Sequence, residues 1–193
     1  MLERVQEQSW LQGLGKEWGL QLHGASKALA QWAIVDDYNT VLDLSCRDTR
    51  LLRYFSHKYS LRACGIASEN EEARLLQKQL PEAEIFCARP GDIPWQENTF
   101  DVVFCQLDKS EGDREVAALR EALRVMRPCG QLLIAVKGLP EPICSMASML
   151  GIGATDRLHP RTLLRQMENA GFDDVSYRTV RPCVGLAMGW KRN

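Results

Sequence analysis

The feature that most constrains this chain is a steady alternation of short β-rich runs with stretches whose apolar residues recur at helical spacing. Thr40–Leu44 reads as a first buried strand, and Leu51, Leu52, Tyr54 and Phe55 then repeat on one helical face. Leu61–Ala67 predicts a second strand, followed by a helix over Asn70–Leu80 with Ala73, Leu76, Gln77 and Leu80 on one side and Pro81 as its stop. Ala83–Ala88, Phe100–Cys105 and Leu132–Val136 read as the third, fourth and fifth strands. Between the last two, Glu115–Met126 forms a helix with apolar residues at 116, 119, 123 and 126. This pattern predicts an α/β domain with a largely parallel sheet and helices on both faces.

The tail breaks the alternation. His159-Pro160 opens a helix that ends at Gly171, because proline suits a first helical turn and glycine a C-terminal cap. Two β-like runs follow, Asp174–Val180 and Gly185–Trp190, joined by Arg181-Pro182-Cys183-Val184 with no room for a helix. Consecutive strands on a short connection imply an antiparallel hairpin, which completes a mostly parallel seven-stranded sheet. With 193 residues, 45% of them hydrophobic, the chain fills one core, so a single domain over 1–193 is expected.

Composition then narrows the function classes. Twenty-four Lys and Arg stand against 25 Asp and Glu, so no global positive field draws the chain to nucleic acid or anionic lipid. The longest apolar stretches, such as Leu132–Val136, are too short to span a bilayer, and Met1-Leu2-Glu3-Arg4-Val5-Gln6 has no apolar signal-peptide core. The expectation is a soluble cytoplasmic protein without a membrane partner. Seven cysteines include no C-x-x-C pair, and Cys64, Cys87 and Cys105 lie in or beside predicted strands, where they read as reduced core thiols. His23, His57 and His159 are isolated, so no metal site is expected.

Three phrases carry a resemblance. Val41-Leu42-Asp43-Leu44-Ser45-Cys46-Arg47-Asp48-Thr49 stands where a family motif reads V-L-D-L-G-C-G-T-G. Gly91-Asp92-Ile93-Pro94-Trp95-Gln96-Glu97-Asn98-Thr99-Phe100-Asp101-Val102-Val103 is similar to L-P-F-x-x-x-S-F-D-V-V, and Leu119–Ile134 to L-R-E-x-x-R-V-L-K-P-G-G-x-L-L-I. Over roughly residues 25–191 the chain resembles the class I S-adenosylmethionine-dependent methyltransferases, in the manner of methyltransferase type 11. The resemblance implies their Rossmann-like fold, S-adenosylmethionine as cofactor, and methyl transfer to a small-molecule acceptor.

The same resemblance implies a site and shows where it has changed. The glycine positions of the first motif hold Ser45, Arg47 and Thr49, a degenerate version of a loop whose glycines admit the ligand. Two roles stay open for Arg47: pairing with the cofactor's carboxylate, or folding back onto Asp43 or Asp48. Asp43 corresponds to the strand-end carboxylate that in the family helps to order the loop and often reaches the methionine amine, with an ordinary loop-bracing carboxylate as the alternative. The acidic ribose acceptor that ends the second strand is replaced by Ala67, with Glu69 two residues on as either a substitute or a helix-terminus residue. Arg89 occupies the place of the adenine-contacting aspartate, and arginine offers only donors; Asp92, beside Ile93, either compensates or caps a turn with Gly91. Gln106 and Asp108, at the carboxyl end of the fourth strand, are the candidates for a substrate contact or base, with a solvated loop as the alternative. The cofactor-site candidates are therefore Asp43, Ser45, Arg47, Glu69, Asp92, Ile93 and Gln106.

Two further segments bear on access. Residues 1–35 form an N-terminal helical segment containing Trp10, Trp18 and Trp32, which suits either a lid or packing against the sheet or across a homodimer interface. Residues 139–158, with Met146, Met149 and Leu150, suit a substrate-side cover or a connection. Three readings follow: a small-molecule methyltransferase, a catalytically inactive binding or regulatory protein of the same fold, and a binder of a different, anionic nucleotide favoured by Arg47 and Arg89.

Overall fold

The computed structural model describes residues 22–107, 113–137, 160–181 and 184–193. Its elements run α1 (Gly24–Trp32), β1 (Thr40–Asp43), α2 (Arg50–Lys58), β2 (Arg62–Ala67), α3 (Asn70–Gln79), β3 (Glu84–Cys87), β4 (Phe100–Leu107), α4 (Asp113–Val125), β5 (Met126–Lys137), α5 (Pro160–Ala170), β6 (Phe172–Arg181) and β7 (Val184–Lys191). The seven strands form one sheet in the order β3-β2-β1-β4-β5-β7-β6. Strands β1 to β5 are parallel, and β7 pairs antiparallel with both β5 and β6, as the helix-free tail requires.

Period-two alternation sorts the apolar residues onto the two faces of the sheet. Val41, Val102, Phe104, Leu133 and Ala135 belong to one core with α1, α2 and α3. Leu42, Val103, Cys105, Leu132 and Ile134 belong to the other, with α4 and α5. Phe104 is fully buried and its ring stacks on Phe55 of α2 at 5.2 Å, so the central strand is bolted to the helix that follows β1. On α4 the buried stripe is Glu115, Leu119, Ala122 and Val125, while Val116 and Leu123 are only half-buried. The helix is rotated relative to the sequence expectation because it packs on two neighbours at once, β4–β5 and α5. Gly171 follows α5 at φ +107°, the left-handed cap that glycine tolerates.

The amino edge of the sheet is closed by polar contacts. Asp101 accepts the Thr40 N–H at 2.7 Å and pairs with Arg127 at 2.8 Å, joining β1, β4 and β5. Buried Gln131 accepts from Ile34 N–H at 2.9 Å and donates to the Trp32 carbonyl at 3.3 Å, which fixes the exit of α1. Trp32 also lies under the Arg178 guanidinium at 4.8 Å, so this tryptophan is a packing residue; Trp10, Trp18 and the 139–158 segment lie outside the described residues. Cys64 and Cys105 are buried free thiols as expected, and burial pushes Cys64 up to about 12. Cys87 corrects the expectation: it is exposed, because it is the last residue of β3, the edge strand of the sheet, and lies beyond the buried Ile85.

The stacked pair predicts a large cavity penalty. Phe104→Ala is expected to lower unfolding free energy by about 3–5 kcal/mol, read by urea denaturation, without changing the sheet content seen by circular dichroism.

Candidate functional site

Open parallel sheets hold ligands in the crevice outside the carboxyl ends of their strands, at the point where strand order reverses. Here that point lies between β1 and β4. Asp43 ends β1 with 1% of its surface exposed, an ionisable group with almost no water. Its Oδ1 accepts the Ser45 N–H at 2.9 Å and the Ser45 hydroxyl at 3.3 Å. The same hydroxyl accepts the Gln106 N–H at 2.7 Å, so one small side chain ties the end of β1 to the end of β4. The Gln106 amide in turn donates to Ser26 Oγ of α1 at 3.4 Å, extending the chain of polar contacts to the helix above.

Desolvation is the main influence on Asp43, and burial pushes its carboxyl up to about 6 against the help of the Ser45 bonds. Asp48 raises it further while the Arg47 charge lowers it. Arg47 itself is exposed on the rim of the turn. The turn is held from below by Leu44 N–H to Phe104 O at 2.8 Å and Cys46 N–H to Ile66 O at 3.0 Å. Cys46 fills the space beside Gly65, where an added Cβ would lie 3.1 Å from its Cβ and Sγ. Burial and the surrounding carboxylates raise this thiol far above its ordinary range, so it is packing and not a nucleophile.

The remaining candidates sit around this centre. Ala67 ends β2 buried at 1% exposure, and it offers no polar side-chain atom. Glu69 is the N-cap residue of α3, exposed and making no side-chain cap bond. Glu72, which the sequence reading passed over, turns back over the same corner and accepts from Ser68 Oγ at 2.9 Å and Ser68 N–H at 3.2 Å. An acidic residue one helical turn beyond a strand end was the signal available for it. Asp92 is exposed and closes a turn with Arg89, the Asp92 N–H reaching the Arg89 carbonyl at 2.9 Å. Ile93 is buried in the α4-side core. The structure thus brings Asp43, Ser45 and Gln106 into direct contact, and sets Glu69 and Asp92 at the outer strand ends. Asp108 lies outside the described residues. Among the described residues no three His, Cys, Asp or Glu are placed to share a metal ion, and no helix is long and apolar enough to cross a membrane.

Residues 42–134 match the family model of a methyltransferase domain. This match and the sheet order together support a class I S-adenosylmethionine-dependent methyltransferase. A sarcosine/dimethylglycine N-methyltransferase from Halorhodospira halochloris is 24% identical over 151 residues, 71% of this chain and 52% of that protein. The chain therefore spans about half the length of this curated relative. The Haloferax volcanii protein solved in complex with the Trm112 methyltransferase activator superposes with a TM-score of 0.72 at 15% identity, covering 88% of this chain and 89% of that one. A geranyl diphosphate C-methyltransferase from Streptomyces coelicolor A3(2), solved with S-adenosyl-L-homocysteine, gives 0.68 at 10% identity over 86% and 74% of the two chains.

The cofactor of this family is S-adenosylmethionine. The desolvated carboxylate of Asp43 at the end of β1 fits an amino-acid group of that kind, since an ammonium there relieves the cost of burial. Ala67 at the end of β2 offers no polar side-chain atom, and the carboxylates that follow it are Glu69, the N-cap residue of α3, and Glu72 in its first turn.

The Asp43 environment predicts a pH dependence. The folded carboxyl holds its proton more tightly than the unfolded one, so stability is greatest below the ordinary value of 3.8 and falls as pH rises through about 6. Asp43→Asn keeps the acceptor for Ser45 and removes that loss. The variant is expected to exceed the wild type by about 2–3 kcal/mol in denaturant unfolding at neutral pH, with the difference closing in acid.

Proposed function

We propose that this methyltransferase binds S-adenosylmethionine across the carboxyl ends of β1, β2 and β4 and transfers its methyl group to a small molecule. The observation that carries the reading is the Asp43–Ser45–Gln106 cluster, a buried carboxylate braced at the switch point with burial raising its pKa. The chemistry supplied by the bound cofactor is a methyl group on a sulfonium, open to in-line displacement. Asp43 takes the amine of the amino-acid end, and Ser45 keeps the turn at a fixed distance from β4. Gln106, held through its backbone by Ser45 and through its side chain by Ser26, presents an amide that orients an acceptor beside the crevice. Orientation of this kind is the main catalytic demand of a methyl transfer.

A small acceptor is supported by the net charge of −1, which offers no general attraction to nucleic acid, and by the name of the Halorhodospira relative, whose substrates are small molecules. A second reading, a catalytically inactive binding protein, is favoured by Ala67 and by the loss of glycine at positions 45, 47 and 49.

Calorimetric titration with S-adenosylmethionine and S-adenosylhomocysteine separates the two. Micromolar binding by the wild type, weakened at least about tenfold in Asp43→Asn, is the expected outcome. Binding gained only in Arg47→Gly would favour the inactive reading, and silence from both would sink the cofactor assignment.

A further inference from the structure

The loop between β3 and β4 is not draped over the sheet but laid along one stripe of α4. A Cβ on Gly91 would lie 3.1 Å from the Ala117 Cβ. Two residues on, the Ile93 N–H donates to Glu121 Oε2 at 3.1 Å and the Ile93 carbonyl accepts from Arg124 Nη2 at 3.0 Å. Two further on, the Trp95 carbonyl accepts from Arg124 Nη1 at 2.9 Å. Positions 91, 93 and 95 of the loop thus meet positions 117, 121 and 124, which lie three to four apart along one side of the helix. Glu121 and Arg124 are themselves locked by two hydrogen bonds of 2.8 Å, which lower the Glu121 carboxyl and use the planar fork of the guanidinium on three partners.

The upper end of this segment is the Arg89–Asp92 turn, placed beside the end of β2 by the Ala88 N–H to Ala67 carbonyl bond at 3.2 Å. It borders the crevice where β2 has lost its own polar group. We propose that Glu121 and Arg124 are positioning residues that fix the Arg89–Asp92 turn as a wall of the ligand crevice. The proposal rests on the cofactor reading above. Neither side chain touches the ligand; both act through the backbone of residues 91–95. Lysine at 124 would keep the charge but could not bridge both carbonyls and the carboxylate at once.

The test compares Glu121→Gln, Arg124→Lys and their double variant with the wild type and with Arg62→Gln, which breaks a surface pair with Glu84 outside the crevice. Amide hydrogen exchange is followed at residues 89 and 91–93 in the ligand-free protein, and the Kd for S-adenosylhomocysteine is measured by calorimetry, with melting temperature as the control. Each single variant is expected to speed exchange in that segment about tenfold and raise Kd about tenfold. The double variant should be no worse than the weaker single, because the pair acts as one unit. Arg62→Gln should leave Kd unchanged at a comparable melting temperature. A wild type that binds, with variants that bind equally well or that leave exchange at 89 and 91–93 unaltered, overturns the proposal alone. A wild type that does not bind overturns the cofactor reading and the proposal with it.

Discussion

The buried carboxylate of Asp43 governs the shape of the crevice. A buried polar group with 1% exposure calls for donors, and the next polar residue along, Ser45, supplies two of them to Asp43 Oδ1. That requirement bends the backbone sharply after β1, and the bend delivers the Ser45 hydroxyl to the Gln106 N–H on β4. Two neighbouring parallel strands are thereby joined at their carboxyl ends by a side chain, where the backbone ladder has run out. The cores on either face depend on the same register, since Phe104 can stack on Phe55 only while β4 is held level with β1.

The turn after β1 is braced from within the chain: Ser45 ties it to β4, and Cys46 packs beside Gly65 of β2. On the opposite face the Glu121–Arg124 pair does the same for the loop after β3. Both segments are thus held by hydrogen bonds to elements distant in the chain.

Much of this was legible in the sequence. The strands and helices follow from periodicity, and each observed boundary lies within a few residues of the expected one except for β5, which begins at Met126 because Met126 already pairs with Phe100 before an irregularity that skips Arg127 to Gly130 and resumes at Gln131 opposite Val102. The antiparallel tail was readable from the absence of a helix between its strands. Asp43, Ser45 and Gln106 were identifiable as candidates, but the hydrogen bond joining residues 45 and 106 was not, since nothing local links positions 61 apart. Cys87 was misplaced for a related reason. Its run is as apolar as the buried strands, and only the sheet order makes it an edge.

The sequence by itself determined the fold class, because hydrophobic period and turn chemistry are properties of short stretches, and it determined which residue types stand at the strand ends. Tertiary structure decided which of them meet. Burial of Asp43, its raised pKa, the Ser45 bridge and the seating of 91–95 on α4 all arise from elements far apart in the chain. Desolvation and hydrogen bonding act through space, so they exist only once the sheet has placed β1 beside β4 and the helices have packed on its faces.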